Sequence, residues 1–224
     1  LEGFTVSSAL IGCVIGGLIG GFMATRFGRR KSLIVAAVLF IVSALGSGYP
    51  EMGFASAGVA AFLPQFIVYR IIGGIGVGMA SMLSPMYIAE MAPAEKRGGL
   101  VSWNQFAIVF GMLVVYFVNY AIALQGSEAW ITSTGWRLMF VSETVPATLF
   151  LILLFFVPES PRWLMMKGRE QTAVSVVEKI THDPAATTAE IDSIRESLRG
   201  VKKARLFSYG KRVVIIGILL SVFQ

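Results

Sequence analysis

Two ionisable residues stand inside long apolar runs of this sequence, and proton exchange is the chemistry that such a pair could perform. Arg70 lies among apolar residues and glycines in the run 66–88, and Glu143 lies in the run 136–157. A guanidinium keeps its proton, so its burial demands an anionic partner. An acid beside Arg70 is favoured in its charged form, and separation from the arginine favours protonation. A static ion pair that only fixes helix packing is the alternative, and the residues leave both open.

A polar amide in another apolar run is a candidate for binding a polyol. Gln105 lies in the run 100–123, and an amide both donates and accepts hydrogen bonds, as a sugar hydroxyl does. Gln105 could instead bond to a neighbouring helix. We expect ligand contact, because polar residues inside spanning helices are usually functional. Asn104 and Asn119 have weaker claims to the same role.

A third group of charged residues falls at the ends of the apolar runs. Its members are Arg26, Arg29, Arg30, Glu90, Arg97, Glu159 and Arg162. We expect these residues to form a charge network, with Glu90 close to Arg97, that holds one conformation and breaks in another. The alternative is an ordinary basic rim that only sets membrane topology.

The elements that position these residues are membrane-spanning helices. The chain has 224 residues, 55% hydrophobic and 14% charged, against about 25% charged in soluble domains. Five apolar runs, at 5–24, 32–48, 66–88, 100–123 and 136–157, approach the roughly 20 residues that a spanning helix needs, and a sixth begins at residue 213. Spanning strands would be shorter and would alternate in polarity. We therefore predict an all-α, polytopic membrane protein.

Basic residues fall on alternate connections between these runs. Lys and Arg occur in 26–31, at 96–97 and throughout 158–212, whereas 49–65 and 125–135 contain none. This positive-inside pattern places the basic connections in the cytoplasm. The net charge of +6 therefore does not indicate nucleic-acid binding, because a basic binding surface would not skip every other loop. The same topology puts Arg70 and Glu143 roughly 7 and 10 Å inside the outer boundary, within reach of each other.

We predict three parts along the chain. Spanning helices occupy 1–157, a cytoplasmic helical segment occupies 158–212, and a further span starts in 213–224. Apolar residues at helical spacing predict two short helices, at 167–180 and 187–198.

Several residues that often mark a cofactor site have simpler interpretations here. His182 lies in the break between the two short helices and is expected to be solvated, so no metal site or cofactor is predicted. Cys13 is the single cysteine, which excludes an intramolecular disulfide. The glycines at 74–78 lie inside a spanning run, whereas a dinucleotide fingerprint needs a strand before it. With Gly12, Gly16 and Gly20 they predict close helix packing, either static or sliding.

Four motifs in order carry a resemblance to a known family. They are Arg70-x-x-x-Gly74-x-Gly76-x-Gly78, Arg97-Gly98-x-x-Val101-x-x-x-Gln105, Gly135-Trp136-Arg137 followed by Glu143 and Pro146, and Pro158-Glu159-Ser160-Pro161-Arg162. With them the chain resembles the sugar porter family of the major facilitator superfamily, above all its bacterial D-xylose:proton symporters. The resemblance implies a twelve-helix fold, of which we expect this chain to be a fragment holding helices two to six, the intracellular helices and the start of helix seven.

The resemblance also implies a function. It implies transport of a monosaccharide with protons across the bacterial inner membrane by alternating access, by a monomer that catalyses no reaction and needs no cofactor. Gln224 matches the first glutamine of the family's paired motif and is implied as a second sugar contact. A carboxylate on helix one is implied opposite Arg70. An uncoupled sugar facilitator and a membrane sugar sensor stay open as alternatives.

Two positions depart from the family pattern. Thr25 stands where many members have Asp, so the charge expected in the first loop motif is missing. Met112 stands where the xylose transporters have a second glutamine, which removes one hydrogen-bonding pair from the sugar site. Thr25 weakens the expected latch locally, and Met112 weakens the expectation of xylose itself.

Overall fold

The computed structural model describes residues 2–52, 62–93 and 95–199, and every structural statement below concerns these residues. Gln224 and the predicted span from residue 213 lie outside them. The helices are α1 (Glu2–Phe27), α2 (Arg29–Gly48), α3 (Phe62–Met91), α4 (Arg97–Ala123), α5 (Glu128–Trp130), α6 (Trp136–Ser142), α7 (Thr144–Phe156), α8 (Pro161–Met166), α9 (Glu170–Thr181) and α10 (Pro184–Arg199). A 3₁₀ turn, Pro50–Met52, follows α2, and a π-helix, Ile131–Gly135, joins α5 to α6.

Five stretches of the described chain are long and apolar enough to cross a membrane. They are Gly3–Phe27, Arg29–Gly48, Phe62–Met91, Arg97–Ala123 and Glu128–Phe156. Each corresponds to one of the apolar runs in the sequence, and the regular elements of the described residues are all helical. The predicted all-α, polytopic class is therefore confirmed.

Helices α1 and α3 cross with their backbones in direct contact, because glycines meet at the crossing. A Cβ added to Gly16 would lie 2.2 Å from the Ile75 carbonyl oxygen, and one added to Gly74 would lie 2.0 Å from the Ala9 carbonyl oxygen. Neither obstacle can rotate away, because both belong to the main chain. The predicted close packing is therefore present at this crossing.

The regular hydrogen bonding of the last spanning stretch is interrupted at Glu143, although the backbone there stays in the helical region (φ −62°, ψ −19°). Helix α6 ends at Ser142 and α7 begins at Thr144. Pro146 has no backbone N–H, so the usual helical hydrogen bond to the Ser142 carbonyl cannot form. The carbonyl of Glu143 still accepts from the Ala147 N–H at 3.2 Å, so the chain continues as a helix beyond the break.

Helices α8, α9 and α10 pack on one another around an apolar cluster of their own. Its buried members are Trp163, Leu164, Ala173, Val176, Val177 and Ile191, and Met91 at the end of α3 packs against it. Helices α9 and α10 occupy the two segments where helical spacing predicts short helices. His182, between them, adopts a left-handed conformation (φ 53°) that ends α9.

Candidate coupling cavity and charge network

A cavity of about 730 Å³ opens between α1, α2, α3, α4 and the α6–α7 break. Its polar lining residues are Ser43, Arg70, Asn104 and Glu143, and the remaining lining is apolar or glycine. Arg70 is half-buried and Glu143 is exposed. The structure thus places the two ionisable residues singled out in the sequence on the walls of one cavity.

Arg70 contacts an aromatic ring in this conformation. Its guanidinium carbon lies 5.6 Å from the centroid of the Phe140 ring. Among the described residues, no carboxylate oxygen lies within 4.0 Å of its nitrogens. The direct Arg70–Glu143 ion pair expected from the sequence is therefore not formed here, although both side chains reach the same space.

The helix break sets the positions of Phe140 and Glu143. The Glu143 N–H donates to the Phe140 carbonyl at 3.2 Å, in a tight turn at the end of α6. Residues three apart in a helix share one face. Phe140, whose ring contacts Arg70, and Glu143, which lines the cavity, therefore lie one turn apart on the same helix face.

The amide residue of α4 that lines the cavity is a different one from the amide that the sequence favours. Gln105 is exposed and is not part of the cavity lining, whereas Asn104 lines the cavity. Gln105 shares a helix face with Met112, which is 58% exposed and two turns away. The Asn119 side-chain oxygen is buried without a hydrogen-bond partner among the described residues.

Arg29 and Glu90 form a buried ion pair at the opposite end of α3. The Arg29 Nη2 to Glu90 Oε1 distance is 2.7 Å, and the two side chains are 6% and 11% exposed. Arg29 also donates to the Ala24 carbonyl at 3.1 Å, and the Ser160 hydroxyl donates to the second oxygen of Glu90. The pair therefore joins the α1–α2 turn to the end of α3 and to the segment before α8.

Glu159 caps the start of α2 from a distant part of the chain. One oxygen of its carboxylate accepts from the backbone N–H groups of Arg29 at 2.9 Å, Arg30 at 3.1 Å and Ser160 at 3.0 Å. The first N–H groups of a helix lack partners within it and favour an anion. Gly28 makes room for this contact, because a Cβ at that position would lie 2.2 Å from Glu159 Oε2 and its φ is +102°.

Two further side chains at this end of α3 donate hydrogen bonds to main-chain carbonyls. Arg30 donates from Nε to Leu154 at 2.9 Å and from Nη2 to Phe155 at 2.8 Å, at the end of α7. The Tyr87 hydroxyl donates to Pro158 at 2.7 Å. The Arg30 side chain thus binds two main-chain carbonyls, whereas the Arg29 side chain binds the Glu90 carboxylate.

Trp163 attaches α8 to the end of α1. Its indole N–H donates to the Thr25 carbonyl at 3.2 Å. The Thr25 hydroxyl itself bonds back to Phe22 within α1, at 2.9 Å. Thr25 stands where many family members have Asp, and here the contact between α1 and α8 uses the main chain of residue 25 and not its side chain.

Three other expected network members have different environments. Arg97 pairs with Glu190 of α10 at 3.3 Å, so the expected proximity of Glu90 and Arg97 is replaced by separate ion pairs, because Arg29 and Ser160 already engage Glu90. Arg26 is exposed and lies over the Phe22 and Phe27 rings. Arg162 is half-buried and forms no hydrogen bond or ion pair with the described residues.

Comparison with known proteins agrees with this arrangement of helices and motifs. The family model described as "Sugar (and other) transporter" matches residues 1–224. The chain belongs to this sugar transporter family. The D-xylose-proton symporter of Escherichia coli K12 is 55% identical over the whole chain, which covers 48% of that protein. The glucose facilitated diffusion protein of Zymomonas mobilis is 37% identical, again over the whole chain and 47% of the relative.

A solved structure of a sugar transporter family member shows the same fold. The proton:xylose symporter of the major facilitator superfamily, bound to 6-bromo-6-deoxy-D-glucose, superposes with a TM-score of 0.92 and 53% identity. The superposition covers 99% of this chain and 48% of that one. The chain thus has the major facilitator fold over about half the length of the curated relatives it matches.

The sequence did not reveal several residues that the structure brings into these two sites. Ser43 lines the cavity and Phe140 contacts Arg70. At the other end, Ser160 and Glu190 bind charged residues, and Trp163 binds the Thr25 carbonyl. Ser160 carried a readable signal, because Ser before Pro at the first position of a helix is a typical N-cap pattern. Phe140 had none, because an aromatic residue in an apolar run resembles any core residue.

Proposed function

We propose that the transporter formed with this chain carries a monosaccharide together with protons across the bacterial inner membrane by alternating access. The observation that carries the proposal is the cavity that holds Arg70 and Glu143 together without an ion pair between them. The naming of the E. coli relative as a D-xylose-proton symporter supports the substrate class and the proton. The predicted sides of the membrane, with α8–α10 in the cytoplasm, belong to the same proposal.

In this proposal Arg70 controls the proton affinity of the acids around it. A carboxylate next to the guanidinium stays charged, and one that the guanidinium leaves takes up a proton. Glu143 is the acid within this chain, and the family resemblance supplies a second on a preceding helix. A rocking motion that moves Arg70 between these positions converts a change of access into uptake or release of a proton.

The charge network at the other end of α3 is proposed to act as a latch. The pair Arg29–Glu90 and the Glu159 cap hold α1, α2 and α3 to the segment before α8, and Arg97–Glu190 holds α4 to α10. Buried pairs of this kind are costly to break singly. They therefore favour a small number of discrete arrangements over continuous bending.

Sugar contact is proposed for Gln105 and Gln224. Gln105 is exposed on α4 and lies outside the described cavity lining, so its amide is accessible to a sugar hydroxyl. Gln105→Ala is expected to weaken sugar binding about tenfold, by loss of a net hydrogen bond or two. Calorimetry with xylose measures this change, and Met112→Gln is the matched variant that should strengthen binding. An unaltered dissociation constant for Gln105→Ala contradicts the assignment.

The test of coupling uses a chimera in which this chain replaces the matching half of the E. coli symporter. Accumulation of labelled xylose is measured under an imposed pH gradient, and counterflow is measured without one. We expect Arg70→Ala to abolish accumulation while counterflow continues. Unchanged accumulation in this variant would refute the coupling role.

An uncoupled facilitator is the second candidate. It is favoured by the similarity to the Z. mobilis glucose facilitated diffusion protein, which is 37% identical over the whole chain. The same assay separates the two, because a facilitator equilibrates xylose and gains nothing from the pH gradient.

A further inference from the structure

Arg70 has an aromatic contact where an ionic one was expected. The 5.6 Å distance from its guanidinium carbon to the Phe140 centroid lies within the range of a cation–π contact. The attraction is largest where the cation has lost water, and Arg70 is half-buried in an apolar wall. The ring therefore supplies part of the stabilisation that the absent carboxylate would give.

The Phe140 ring is held in place by two other rings. Phe66 lies 5.5 Å away at an interplanar angle of 80°, and Trp136 lies 6.3 Å away, also at 80°. Both contacts are edge-to-face, the preferred geometry for aromatic pairs. The ring is thus fixed by α3 on one side and by its own helix on the other, with Arg70 near it.

This group of rings is anchored at the opposite end to an ion pair. The guanidinium carbon of Arg137 lies 4.9 Å from the centroid of the Trp136 ring. The same guanidinium donates two hydrogen bonds to the Glu51 carboxylate, at 2.9 and 2.6 Å. The rings form a continuous path from the Pro50–Met52 turn to Arg70. The position of Phe140 is therefore set by packing from both directions.

Apart from Glu143, the lining residues that the structure describes bring no charged group to Arg70. Helices α1 and α2 contribute Ala9, Phe40 and Ser43 to its lining, and the polar residue from α4 is the neutral Asn104. Glu143 is the remaining titratable residue in the described lining, one turn from Phe140. The described residues thus offer the guanidinium an aromatic contact with the Phe140 ring and one carboxylate in the same cavity, that of Glu143.

We infer that Phe140 is a positioning residue for coupling: its ring holds Arg70 away from the carboxylate that exchanges the proton. The inference rests on the coupling role proposed above for Arg70. When the ring attraction is weakened, Arg70 spends more time beside the carboxylate and favours its charged form. A higher proton concentration is then needed for half-maximal uptake, so the pH dependence of transport shifts to lower pH.

The test replaces Phe140 by phenylalanines carrying one, two and three ring fluorines, in the same chimera. Fluorine withdraws electron density from the ring face and leaves the shape nearly unchanged, so packing is preserved while the cation–π attraction falls. We expect the proton concentration for half-maximal xylose uptake to rise stepwise with each fluorine. Over the full series this proton concentration should rise roughly 3- to 30-fold, which corresponds to the free energy of a complete cation–π contact.

Two natural substitutions and one control complete the design. Phe140→Trp keeps a ring face and should preserve the pH dependence, whereas Phe140→Leu should shift it as far as the trifluorinated residue does. Phe62→Leu is the matched control, because Phe62 contacts Trp136 at 6.0 Å in the same group of rings and is not in contact with Arg70. Its pH dependence should equal that of the unsubstituted protein.

The outcomes separate this inference from the proposed function. A flat response to fluorination, with accumulation still abolished by Arg70→Ala, overturns the positioning role and leaves the coupling role standing. Accumulation that survives Arg70→Ala overturns both. A shift in Phe62→Leu equal to that in Phe140→Leu assigns the effect to packing, which also overturns the inference.

Discussion

The α1–α3 crossing allows a paired test of whether direct backbone contact holds these helices together. Gly16→Ala places a methyl group 2.2 Å from the Ile75 carbonyl oxygen and 2.8 Å from two further main-chain atoms of Ile75. Gly17→Ala, the next residue of the same helix, places its methyl group where nothing lies within 4 Å. The two variants have the same chemistry and differ only in what the methyl group meets.

The expected magnitudes follow from these distances. A carbon atom needs about 3.3 Å from a carbonyl oxygen, so Gly16→Ala must push the helices apart by roughly 1 Å. Overpacking costs about 1–3 kcal/mol, and the upper end applies because main-chain atoms cannot rotate away. Both variants gain about 1 kcal/mol of helix propensity from Ala. We expect Gly17→Ala to be stabilised by about 1 kcal/mol and Gly16→Ala to be destabilised by about 2 kcal/mol.

The assay is unfolding by dodecyl sulfate in mixed detergent micelles, followed by circular dichroism. The difference between the two variants, about 3 kcal/mol, is the cost of overpacking alone, because helix propensity cancels. Equal free energies of unfolding for Gly16→Ala and Gly17→Ala would show that the helices do not touch at this crossing, and would refute the reasoning.

Three further perturbations address the charged residues, with the same unfolding assay. Glu90→Gln leaves the Arg29 guanidinium without a counter-ion at 6% side-chain exposure, so we expect a loss of about 3 kcal/mol; a loss below 1 kcal/mol contradicts a buried pair. Gly28→Ala combines a φ of +102° with a methyl group 2.2 Å from Glu159, and should cost at least about 2 kcal/mol; an unaltered stability refutes the cap. The hydrogen bond from Arg137 lowers the pKa of Glu51 below its ordinary value of 4.5. The Arg137–Glu51 pair therefore stabilises the fold above pH 4.5, and this stabilisation is lost as the pH falls through the lowered pKa. The effect should stay below about 1 kcal/mol, since the pair is exposed, and Glu51→Gln should remove it; equal acid sensitivity of both proteins argues against the pair.

Hydropathy and helical spacing predicted the helices themselves, because both signals are local. Four of the five apolar runs correspond to the long helices α1 to α4, and the fifth corresponds to the stretch that holds α6 and α7. The apolar spacing after residue 167 corresponds to α9 and α10. The positions of the helix ends were predicted less accurately. Helix α3 continues to Met91, past the predicted end of its run at residue 88, because Glu90 is buried against an arginine and remains helical.

The pairing of charges was predicted as a network but not in its detail. Glu90 binds Arg29, 61 residues away, and Arg97 binds Glu190, 93 residues away. Such partners depend on how helices that are distant in sequence pack together, and the residues next to each charged group do not encode that packing. The role of Phe140 was hidden for a different reason, since its ring is one apolar residue among many until Arg70 is placed over it.

The Glu159 cap also constrains the order in which the chain assembles during synthesis. Helices α1 and α2 are joined by Gly28 alone, so they leave the ribosome as a tight hairpin with exposed amides at its turn. The carboxylate that accepts from the Arg29 amide is 130 residues further along. At about 5–20 residues per second, roughly 6–26 s pass before Glu159 is made. For that time the hairpin turn relies on water or lipid headgroups, and it closes only when the segment preceding α8 has been translated.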